Sequence, residues 1–149
     1  MSLQHWLRNG WLVEHKTTAQ EVTDLLAVAD RDLRDCQVPD LSADWRLSIA
    51  YNAALQIATA ALAAAGYRAA REAHHYRVIQ SLAFTIGAEM STVDRFDKFR
   101  KKRNIGGYER AGLVSEQEVE EMIDLAADLK RRVGAWLASQ YPSLVAELH

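Results

Sequence analysis

The chain has 149 residues, 49% hydrophobic and 26% charged, with a formal net charge of -2. That length suits one domain with a real core, and the balanced charge excludes a global pull toward nucleic acid or anionic membranes, so any such binding must be local. A single cysteine, Cys36, excludes an internal disulfide, and its place on an apolar stripe reads as a packed thiol of an intracellular protein.

The opening MSLQHWLRNG lacks the basic segment and apolar core of a secretory signal. Leu3, Trp6 and Leu7 predict a short helix folded onto the rest. The first long helix is predicted from about Thr18 to Cys36, because Val22, Leu25, Leu26, Ala29, Leu33 and Cys36 recur at the three-then-four spacing of one buried stripe. Thr18 and Glu21 have the form of a capping box at its start. A second helix runs from Ser42 to Gly66, a natural left-handed stop. Its stretch AALQIATAALAAAG is apolar nearly all round, which predicts a central position. Tyr51, Asn52, Gln56 and Thr59 interrupt it, and it is too alanine-rich to enter a bilayer. No membrane contact and a cytoplasmic location are expected.

A third helix is predicted over roughly 69–86, ending at Gly87, with His75, Ile79, Leu82, Ala83 and Ile86 inward. A fourth begins after Ser91 and ends before Gly106 and Gly107. A fifth opens with the capping box Ser115–Glu118 and continues to about Tyr141, burying Val119, Met122, Ile123, Ala126, Val133, Trp136 and Leu137. Its glutamates lie early and Lys130, Arg131 and Arg132 late, an order that suits the helix dipole. No sustained strand pattern occurs. The expected fold is all-α: an antiparallel up-and-down bundle of four to five helices, one domain over residues 1–149 with its core at about 18–140. Trp6, Trp11, Trp45 and Trp136 read as core or dimer face, since no alternating basic and aromatic surface accompanies them.

The segment richest in chemistry is STVDRFDKFRKKRNIGGYER, residues 91–110. Asp94 with Lys98 and Asp97 with Lys101 stand at i,i+4 in the favourable order and read as structural pairs. Phe96, Arg100 and Arg103 stand at i, i+4 and i+7, so both arginines lie on the apolar stripe. An arginine there needs a carboxylate, a subunit interface or a phosphate.

Arg103-Asn104-Ile105-Gly106-Gly107-Tyr108 resembles the motif of the HEPN superfamily, an arginine followed after four to six residues by histidine, with a polar first spacer such as Asn104. The phrases RKKRNIGGYERAG and AYNAALQIATAALAAAGYRAAREAHHY also resemble uncharacterised bacterial members, and the likeness spans about 18–140. It implies an α-helical bundle with a cleft between two protomers, hence a homodimer, and metal-independent RNA cleavage by arginine and histidine. This chain departs from the pattern, because Tyr108 occupies the histidine position and Arg110 the place where some members carry a nucleotidylated tyrosine. A tyrosine, with a reference pKa of about 10, is a poor general base at neutral pH. An imidazole is available elsewhere. If the third and fourth helices pair as a hairpin about residues 89 and 90, positions 74 and 75 fall opposite 104 and 105, bringing His74 or His75 toward Arg103. The opposing reading makes His75 a hydrogen-bonded core residue.

Three functions follow. In a ribonuclease of toxin–antitoxin type, Arg103 stabilises phosphate charge and Asn104 orients it. Tyr108, His74 or His75 moves protons, while Arg100, Lys101 and Lys102 draw in the RNA backbone. In a binding module, the same surface holds RNA or a nucleotide, or pairs with a nucleotidyltransferase, without turnover. In a plain dimeric bundle, Arg100 and Arg103 are paired with Asp30, Asp35 or Asp44. No His, Cys, Asp or Glu set has metal-ligand spacing, so neither metal nor other cofactor is expected.

Overall fold

The computed structural model of the chain describes residues 1–104 and 114–145. Among these the order is α1 (Leu3–Arg8), β1 (Leu12–Glu14), α2 (Ala19–Asp35), α3 (Ala43–Ala64), β2 (Tyr67–Ala69), α4 (His74–Thr85), α5 (Met90–Asn104), α6 (Glu116–Gln140) and α7 (Pro142–Val145). The all-α expectation holds for the bulk of the chain, with more helices than expected and one small sheet.

The centre is α3. Ala50, Ala53, Ala54, Ile57, Ala58, Ala60 and Ala61 are all fully buried, as the nearly all-round apolar pattern requires. It packs most extensively against α6 and α2, then α4. Small side chains allow that close enclosure. By length and composition alone α3 would span a membrane, but 72% of its most apolar window is buried within the protein, which is how a core helix behaves. The other helices contribute one stripe each: Val22 and Ala29 from α2, Ile79 and Leu82 from α4, and Val119, Met122, Leu125, Leu129, Val133 and Leu137 from α6. Together they form a single core that also takes in Trp6 and Val145 near the two ends of the described chain.

Local signals fix the helix ends. Thr18 accepts from the Glu21 N–H and Ser42 from the Trp45 N–H. Ser115 and Glu118 make the full capping box, and Pro142 opens α7, where a missing N–H costs nothing. α5 starts at Met90, one residue before the expected cap Ser91, because the Glu89 carbonyl accepts from both Thr92 and Val93.

The unexpected element is the antiparallel pair β1–β2, in register Leu12↔Ala69, Val13↔Arg68 and Glu14↔Tyr67. Three-residue strands are too short for an alternating pattern to register, and their partners are far apart in sequence. The pair forms because α3 stops at Gly66, whose φ of 96° redirects the chain. Ala69 is thereby withdrawn from the third helix, and α4 begins at His74 rather than near 69. α1 is held by Trp6, which meets Phe84 and Trp11 edge-on at centroid separations of 5.2 and 5.9 Å. Trp45, expected in the core or on a dimer face, lies outside the core and is 63% exposed at the start of α3.

Candidate functional site

The site grows out of α5. Val93 and Phe96 are fully buried and Phe99 nearly so. The same face then continues into Arg100, whose side chain is only 20% exposed, and ends in the exposed Arg103. Buried Asp97 manages the charge there: it accepts from Arg100 Nε at 2.6 Å and lies 3.5 Å from Lys101 Nζ. The Asp97 hydrogen bond holds the Arg100 guanidinium above its ordinary pKa, firmly charged. Lys102 is committed to Glu118 at the start of α6, and this bond, foremost among several, holds the Glu118 carboxyl below its usual range. All three residues expected to draw in a backbone, Arg100, Lys101 and Lys102, thus have a carboxylate partner within the fold.

Arg103 is placed differently. Among the described residues it makes no ion pair, and its guanidinium carbon sits 5.0 Å from the centre of the Tyr51 ring. Tyr51 comes from the alanine-rich α3, is fully inaccessible and packs edge-on against Phe96 at 5.7 Å. Its hydroxyl reaches the first turn of α4, 3.4 Å from His75 Nδ1. Burial raises the Tyr51 pKa to about 12, against the opposing pull of Arg103 and Arg100, so the phenol remains protonated. Burial is also the main cause of the lowered His75 pKa, followed by His74, Arg103 and Arg100. These influences favour the neutral imidazole of His75 over its charged form. His74 is exposed, its ring 5.8 Å from that of His75.

The hairpin register places the start of α4 against α5. His75 and Arg103 converge on one tyrosine, with His74 adjoining. Tyr108 and the Asn104 side chain lie outside the described residues. The acidic partners foreseen for the arginines are not those used by Arg100, which takes Asp97; Asp30 instead binds Lys130 at 2.6 Å. An open cleft of about 540 Å³ is lined by Ala73, His74, His75, Tyr76, Arg77 and Arg100. The first turn of α4 faces it without a side-chain cap, Ala73 having a positive φ of 53°. Sequence reasoning missed Tyr51, Tyr76 and Arg77. Only Tyr51 left a signal, a phenol within an apolar helix that needs a polar partner when buried.

Elsewhere, imidazole and carboxylate pair at the start of α2, where His15 Nε2 lies 2.7 Å from Glu21. No protein-family model, curated protein or solved structure matches the chain.

Proposed function

We propose that this chain is a HEPN-like domain that handles RNA, and that its cleft cleaves the RNA backbone without a metal ion. The observation that carries this reading is the meeting of Arg103 and His75 at Tyr51. An arginine without a carboxylate among the described residues and an imidazole, both held against one tyrosine, are the kinds of group that transfer at a phosphodiester uses. In this reading His75 removes the proton from a ribose 2′-hydroxyl, whose oxygen attacks the adjacent phosphorus. Arg103 and Arg100 stabilise the charge gathering on the phosphate oxygens. The bond to the 5′-oxygen breaks, leaving a cyclic phosphate and a 5′-hydroxyl that takes a proton from His74 or Tyr108. The resemblance adds a homodimer and a toxin–antitoxin-type role, and the sequence pattern a cytoplasmic setting.

The test is incubation of the purified protein with a mixed RNA pool containing tRNA, in chelator, beside Arg103→Ala. Cleavage that the variant loses supports the reading, and a folded wild type that leaves the RNA intact overturns it. A second reading, a binding module that holds RNA or nucleotide or pairs with a nucleotidyltransferase, is favoured by one feature, Tyr108 at the histidine position of the motif. It expects RNA binding that depends on Arg103, with no turnover.

A further inference from the structure

Tyr76, Arg77 and Arg100 line the cleft, and two aromatic rings and two guanidinium groups lie close together there and at Trp11 behind it. The Arg77 guanidinium carbon lies 3.8 Å from the Trp11 ring centre and 5.4 Å from that of Tyr76. The Arg100 guanidinium carbon also lies 5.5 Å from the Tyr76 ring. These residues come from the turn before β1, the first turns of α4 and the end of α5, so the fold and not the local sequence assembles them. Trp11 is backed by buried Trp6. Among the described residues Arg77 makes no ion pair; its charge is stabilised by the faces of aromatic rings, which leaves its donors to a ligand.

We propose that Trp11, Arg77, Tyr76 and Arg100 form a stacking strip that holds an unpaired nucleotide next to the phosphate at Arg103, a proposal that rests on the RNA reading of that site. The cations alone would suit any anion. Rings beside planar guanidinium groups suit a ligand carrying both a phosphate and a flat apolar face, which is a nucleotide. A base within a duplex already has both faces stacked on its neighbours, so the strip selects single-stranded RNA. Tyr76, which lines the cleft beside two arginines, is the platform, and Arg77 takes the phosphate of the stacked nucleotide.

The experiment measures binding of a short labelled single-stranded oligoribonucleotide, and of the same sequence as a duplex, at one fixed salt concentration. Tyr76→Phe keeps the ring and should bind within about twofold of wild type, whereas Tyr76→Leu should weaken single-strand binding roughly tenfold or more. Arg77→Lys keeps the charge without the planar stack and should also weaken it. Duplex binding should be weaker and indifferent to Tyr76→Leu. In the unaltered protein, ultraviolet crosslinking of the single strand should map to Tyr76 or Trp11, a reading independent of whether a variant folds. If Tyr76→Leu and Arg77→Lys bind the single strand as the wild type does while Arg103→Ala has lost it, the strip is wrong and the RNA site stands. Crosslinks to neither ring also overturn the strip. If the wild type binds neither RNA, the strip and the proposed function fall together.

Discussion

Desolvation and neighbouring cations act on His75 in the same direction, both disfavouring its protonated form. Its pKa in the folded protein therefore lies below the value of about 6.5 expected in the unfolded chain. On acidification the unfolded chain takes up this proton first, so the contribution of His75 to stability is fully present above about pH 6.5 and is lost as pH falls through the folded pKa. Urea unfolding of the wild type should show stability declining below that pH, and His75→Asn should remove part of the decline. Identical pH dependence in both proteins would show that His75 does not lie in this environment. Arg100, Arg103 and His75 were legible in the sequence as candidates, the arginines from their place on the α5 stripe and the histidine from a hairpin register. Tyr51 as their common support was not, because its partners lie on two other helices. The stacking of Arg77 on Trp11 was equally hidden, since the two residues lie far apart in sequence.

At the scale of elements, α3 sets how closely the rest can assemble. Its alanines are small because α2, α4 and α6 all press on it, and Ala58 is fully buried. Ala58→Leu should therefore overpack the core and lower stability by about 1–3 kcal/mol, measurable by denaturant unfolding. An unchanged midpoint would mean that α3 is not enclosed as described. The long helices could be read from periodicity and capping because each has one buried stripe and a side chain that closes its first turn. What escaped were features decided by distant contacts. Ala69 reads as the start of a helix, yet it pairs with Leu12 of β1. Trp45 falls at helical spacing and still points outward, since it lies on the first turn of α3, where burial is only beginning.

For the molecule as a whole, the core around α3 is a rigid support that brings α4 and α5 to one cleft. The near-neutral total charge is consistent with a site whose positive character is local: Arg100 and Lys101 share Asp97, Lys102 binds Glu118, and Arg103 and Arg77 rest on aromatic rings. The overall helical class was evident from the sequence. The composition of the cleft was not, because it depends on which helix ends the fold brings together. If Arg103 and His75 serve one RNA-cleaving site, the rate of single-stranded RNA cleavage, in chelator, should respond to both. In a comparison of wild type, Arg103→Ala, His75→Asn and the double variant, each shown to be folded, each single variant should be slowed by about 100-fold or more, and the double variant should be little slower than the worse single one. Retention of the wild-type rate by either single variant, or no cleavage by the wild type, would contradict a shared site.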